Sequence, residues 1–114
     1  MAIRRVLEEL EAHLEPSPQA ASRGGGKGKL EFKRYGDGGQ RMKINCKALD
    51  VPDGAALELL CGDTVVAVLE ARSGRAKIDE ERPASEETPP LAAGDLVTLC
   101  HEGIPLLGGR LYLD

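Results

Sequence analysis

The sequence predicts a mainly β fold: an antiparallel sandwich of about seven short strands, with an N-terminal amphipathic helix in front of it. An Ig-like arrangement or a small barrel fits the same pattern. Three observations carry this. From residue 29 onward, apolar and polar residues alternate, as where Met42, Ile44 and Cys46 are set between Arg41, Lys43, Asn45 and Lys47; that is the period of a half-buried strand. Glycine-bearing turns punctuate the runs at Gly36-Asp37-Gly38, Pro52-Asp53-Gly54, Gly62-Asp63 and Ser73-Gly74, where left-handed backbone costs least. Finally, 41% of residues are hydrophobic but only 3% are aromatic, with no Trp. The core must therefore come from Leu, Val, Ile and Ala.

The 114 residues divide into a helix over 1–15, a flexible linker over 16–28 and a β domain over 29–114. Ile3, Val6, Leu7, Leu10 and Leu14 recur at helical spacing, and Pro16 and Pro18 end the run. The charges oppose that helix. Arg4 and Arg5 sit in its first turn and its glutamates later, against the macrodipole, and Arg-to-Glu is the weaker order at i,i+4. A helix of this length is marginal alone, so something has to cover its leucines. Residues 16–28, PSPQAASRGGGKG, read as a tether. Its Gly-rich end lacks the spacing of a phosphate loop, and no strand precedes it.

Strands follow at about 29–35 and 40–49. Pairing Phe32 with Met42 and Leu30 with Ile44 puts both apolar sets on one face and places Glu31 opposite Lys43. Gly36-Asp37-Gly38 is then a three-residue loop, with Gly38 left-handed. The next hairpin, 55–61 with 64–70, turns at Gly62-Asp63, Gly first, as in a type II′ loop. Regular pairing opposes Leu57 to Val68 and Leu59 to Val66 on the core face. Leu60, Val65 and Leu69 fall on the other face, too apolar for a solvated surface. A fifth strand, 75–79, is expected to turn back onto this hairpin, making 54–79 a three-stranded unit. Residues 80–90, with three prolines and four carboxylates, read as a loop. Strands at 95–101 and 109–113 complete the domain, with a loop over 102–108.

Charge is spread unevenly. The net of −4 hides a segment, 23–47, with eight basic and two acidic side chains, followed by residues 48–114 with five basic and thirteen acidic. Lys33, Arg41, Lys43 and Lys47 share the outward face of the first hairpin, with Tyr35 at its end and Arg23, Lys27 and Lys29 leading in. Such a basic stripe is the footprint of a polyanion-binding or nucleic-acid-binding surface, though a single-strand binder normally adds more stacking aromatics than Tyr35. A solvated face whose lysines discourage edge aggregation accounts for the same residues.

Other chemistry is poorly supplied. Cys46, Cys61 and Cys100 leave one thiol over from any disulfide and form no C-x-x-C pair. Cys100 and His101, adjacent in a strand, point to opposite faces, which works against both a zinc site and a Cys–His nucleophile. No cofactor motif and no nucleophile signature occurs. There is neither a signal-peptide h-region nor an apolar run long enough to span a bilayer. The expectation is a cytoplasmic, non-catalytic binding or assembly module without metal or cofactor, associating with a protein partner or itself and not with a membrane. In that reading Ile3, Leu7, Leu10 and Leu14 of the helix pack on Leu60, Val65 and Leu69, in the same chain or in a second one. Polyanion binding by Lys33, Tyr35, Arg41, Lys43 and Lys47 is the alternative.

Overall fold

A computed structural model describes residues 5–17, 25–83 and 91–114. Nine strands account for most of them: β1 Val6–Pro16, β2 Lys27–Tyr35, β3 Gln40–Lys47, β4 Ala56–Cys61, β5 Thr64–Glu70, β6 Ala76–Arg82, β7 Leu96–His101, β8 Ile104–Arg110 and β9 Tyr112–Leu113. No helix occurs among the described residues. The mainly β expectation holds, but the sandwich does not. The strands form one antiparallel sheet in the order β5-β4-β7-β8-β1-β2-β3-β6, with β9 on β1. Its two end strands, β5 and β6, are consecutive in sequence and touch each other. Arg72 and Arg75 bridge the turn between them. The sheet curls until it nearly closes into a barrel.

The largest correction is at the N-terminus, where residues expected to form a helix form β1. Leu10, Ala12 and Leu14 are buried at 0–1% exposure, while His13 and Glu15 face out. That is period two, not 3.6. Leu7, which a helix would place beside Leu10 and Leu14, is 63% exposed; a register shift between Val6 and Glu8 sets it aside. β1 joins the two halves of the sheet, pairing with β2 over most of its length and with β8 through Glu15–Gly108 and Pro16–Leu107. A Cβ on Gly109 would collide with the His13 carbonyl oxygen, so glycine lets β8 come this close to β1. Ile3 lies outside the described residues, as do 18–24 of the expected linker. Within that linker Pro16 belongs to β1, and Lys27 and Gly28 to β2.

The first hairpin has the expected register, with Phe32 opposite Met42, Leu30 opposite Ile44 and Glu31 opposite Lys43. Gly38 takes φ +87° in its loop. The second hairpin departs from the regular pairing. Cys61–Thr64 and Leu60–Val65 pair as expected, but Leu59 then faces Ala67 and Leu57 faces Leu69. Val66 is the extra residue of a β-bulge, and the slip exchanges faces beyond it. Leu69 enters the core at 2% exposure and Val68 turns outward at 59%. β6 was expected on β5 but ladders onto β3, pairing Ala76 with Cys46 and Ile78 with Ile44. Glu80–Arg82 extend β6 where a loop was expected, and 84–90 lie outside the described residues. The loop expected over 102–108 is instead β8, entered by a turn at Glu102-Gly103.

Inside the curl lies one apolar cluster. Leu10, Leu14, Leu30, Phe32, Ile44, Leu57, Leu59, Leu91, Leu99 and Leu107 each show 0–1% exposure, and burial of such a side chain stabilises by about 1.5–3 kcal/mol. Phe32 is its only aromatic ring. Aliphatic side chains from both halves of the sheet fill the interior, so the outer surface carries whatever binding chemistry the fold has.

Candidate anion-binding site

Because the inward positions along the middle of β1, β2, β3 and β6 are apolar, from Leu10, Phe32 and Met42 to Leu14, Cys46 and Ala76, the intervening residues stand in rows on the outer face. Across β1, β2, β3 and β6 one row reads Glu9, Lys33, Arg41, Glu81, and the next Glu11, Glu31, Lys43, Asp79. The third reads His13, Lys29, Asn45, Lys77, and Lys27 pairs with Lys47 beyond it. The row at the hairpin end is charge-balanced, the middle row has three carboxylates against Lys43, and the third row with the Lys27–Lys47 pair beyond it is cationic.

At the balanced end, Arg41 donates to both carboxylate oxygens of Asp79 at 2.9 and 2.8 Å. This two-pronged contact holds Asp79 below the usual carboxylate range and raises Arg41 further above its already high value. Lys33 is met by Glu9 at 3.7 Å. Arg34 pairs with Glu8 at 3.3 Å, stacks over Phe32 and donates to the Leu91 carbonyl at 2.9 Å; it is a clamp on the segment entering β7. These cations already have anions or carbonyls. Tyr35 sits half-buried beside the loop, its N–H bonded to the Gly39 carbonyl.

At the cationic end His13, Lys27, Gly28, Lys29, Glu31, Lys43, Asn45 and Lys47 line an open groove of about 390 Å³. Gly28 forms part of its floor: a Cβ there would lie 2.6 Å from Cys46 Sγ and 3.3 Å from Leu14 Cδ1, so the backbone is pressed onto the core at this point. Among the lining residues only Glu31 is acidic, and it pairs with Lys29 at 3.2 Å. Lys29 also reaches Glu11 at 3.6 Å, and the two carboxylates push its ammonium group up. Lys27, Lys43 and Lys47 form no ion pair with a described residue. Asp79, across from Lys43, is hydrogen-bonded by Arg41, and the Lys43 charge also helps to hold it below the usual carboxylate range. Glu31 and Lys43 also border a smaller depression of about 70 Å³ with Lys33 and Arg41.

Of the stripe expected from sequence, the fold brings Lys43 and Lys47 into the groove and leaves Lys33, Arg41 and Tyr35 toward the hairpin end. Lys27 and Lys29 join the groove. His13 was missed because a helix was expected there; strand alternation in Leu10–Glu15 was the signal that would have found it. The rim beyond His13 is acidic and ordered. Tyr112 donates its hydroxyl to Glu11 Oε2 at 2.9 Å, and its ring stacks on His13 at 5.9 Å with 22° between planes. Oxygens of Glu9, Glu11 and Asp114 lie within 4.8 Å of one another. Asp114 and then Tyr112, by hydrogen bonding, hold Glu11 below the usual carboxylate range, while the bond to Glu11 and its charge push Asp114 up.

The residues expected to meet across a docked helix do not form such a contact. Leu10 and Leu14 lie in the core with Leu69, Leu7 is exposed, Leu60 is half-buried, and Val65 is 46% exposed. The three thiols are spread through the barrel wall, Cys46 beside Ala76, Cys61 beside Val97 and Cys100 beside Glu58. Burial pushes all three up, Cys46 to about 11, which is the reverse of what activates a thiolate nucleophile or metal ligand. No helix among the described residues is long and apolar enough to cross a membrane. Compared with known proteins, the chain matches no family model and no curated sequence.

Proposed function

We propose that this chain is a non-catalytic binding module that lays an anionic polymer across the outer face of β1, β2 and β3. One observation carries the reading: Lys27, Lys43 and Lys47 converge with Lys29 on an open groove, and Glu31 is the only acid among the described residues that line it. Ammonium groups at that density, with Lys27 and Lys47 forming no ion pair among the described residues, attract polyanions and release counterions on binding. The groove's openness favours an extended ligand over a small enclosed one. Lysines serve as point charges, not planar forks, so the recognition expected is of charge spacing and not of one rigid anion.

The test compares two charge reversals of equal size. Lys27→Glu with Lys47→Glu reverses two groove cations that form no ion pair with a described residue; Lys33→Glu with Arg41→Glu reverses ones already paired with Glu9 and Asp79. With heparin or a short oligonucleotide at low salt, the first pair should weaken binding severely. It should also flatten the salt dependence by about 0.7 log units per lysine lost. The second pair should weaken binding far less. Equal effects, or none, would refute the groove as the binding face.

Self-association is a second reading, favoured by Val65 and Val68, which stand 46% and 59% exposed on the end strand β5. Dimeric mass that reverts to monomeric mass in Val68→Lys would support it, and an unchanged monomer would end it.

A further inference from the structure

We infer that the groove takes a single-stranded nucleic acid, its phosphates following Lys27, Lys43 and Lys47 while one base stacks on the His13–Tyr112 pair. The inference rests on the anionic-polymer reading above and adds a second requirement, a planar neutral group between the charges. His13 belongs to the groove lining. Its ring lies nearly parallel to that of Tyr112, centroids 5.9 Å apart, and both residues are exposed. Two parallel rings on a strand surface make a platform for a base, which offers a π-face whatever its identity.

The platform is also held in place. β9 pairs with β1 through Glu11–Tyr112, and the Tyr112 hydroxyl is anchored on Glu11. A ring fixed before binding loses little freedom when a base arrives. Asn45, on the opposite wall, offers an amide donor and acceptor for a base edge. The acidic rim then sorts ligands. Glu9, Glu11 and Asp114 cluster beside the platform, so a chain with unbroken charge, such as polyphosphate or a sulfated glycan, meets repulsion where it passes the rings. A nucleic acid places an uncharged base there and keeps its phosphates on the lysine side. A duplex cannot use the platform, because its bases are stacked on each other.

The experiment measures fluorescence polarisation of a labelled deoxythymidine oligonucleotide on the intact chain, with competition by inorganic polyphosphate, heparin and a duplex of equal length. Stacking of one base is worth roughly tenfold in affinity. The single strand should bind about that much tighter than polyphosphate. His13→Ala, at an exposed position, should lower single-strand affinity about tenfold and so erase the difference, and His13→Phe should keep it. Tyr112→Leu should act as His13→Ala does. If polyphosphate, heparin or the duplex matches the single strand, and His13→Ala changes none of them, the stacking inference falls while the anionic reading stands. If no polyanion binds at all, both fall together.

Discussion

Cys46 condenses several of the forces at work in single residues of this fold. It lies in β3 between outward-facing Asn45 and Lys47, its side chain at 0% exposure and pressed against Gly28. A small apolar residue fits there, and the buried thiol behaves as one. Desolvation disfavours the thiolate and moves its titration to about 11. The sign of the linkage follows. In the unfolded chain the thiol ionises near 8.5, so above that pH the unfolded state loses a proton that the folded state still holds. This residue's contribution is complete below the unfolded value and fades as pH climbs toward 11. At pH 8 the native protein should leave Cys46 unmodified by a thiol reagent, and denaturant should expose all three cysteines. Native labelling of Cys46 as fast as in denaturant would contradict its place in the wall. For Cys46 the sequence already pointed inward, because it alternates with Asn45 and Lys47.

At the level of elements, β1 separates what periodicity reveals from what it leaves ambiguous. Leu10-Glu11-Ala12-His13-Leu14-Glu15 alternates strictly, yet residues 3, 7, 10 and 14 also fit a helix. Leucine spacing favours the helix, whereas the arginines in its first turn are a physical objection to it. The two structures make opposite demands on two residues. A helix needs Leu7 and tolerates change at Ala12; the strand buries Ala12 at 0% and leaves Leu7 at 63%. Leu14→Ala should cost about 2–5 kcal/mol in either case. Leu7→Ala should stay within about 0.5 kcal/mol, as exposed sites do. Ala12→Glu should be severely destabilising, since it buries a charge without a partner. Urea denaturation of the three variants decides it: a large loss in Leu7→Ala beside a mild Ala12→Glu would restore the helix. The second hairpin carries a related lesson. Its turn and first two pairs were legible, but one bulge at Val66 moved Leu69 to the core and Val68 to the surface. Both residues are apolar, so hydrophobicity alone could not choose between the two registers.

For the molecule as a whole, alternation tells which face of a strand is buried but not which strand lies beside it. That is why the register of β2 and β3, fixed by a short loop, could be read, whereas β6 was assigned to β5 and found on β3. The groove follows the same division. Its lysines on one hairpin were visible, but His13 entered only when β1 came to lie against β2. That pairing also holds the barrel together, because β1 is the sole ladder between β8 and β2 among the described residues. Leu10 and Leu14 together stabilise by about 3–6 kcal/mol through burial. Whole domains are stable by only about 5–15 kcal/mol, and losing β1 would also strand the backbone groups of β2 and β8 without partners. Deleting residues 1–17 should therefore abolish cooperative thermal unfolding and the amide dispersion of a folded sheet, where removal of a docked helix on a tether would leave a folded body behind. A truncated chain that melts cooperatively near the full-length temperature would show that the two halves close without β1, and the groove would then have to form without His13.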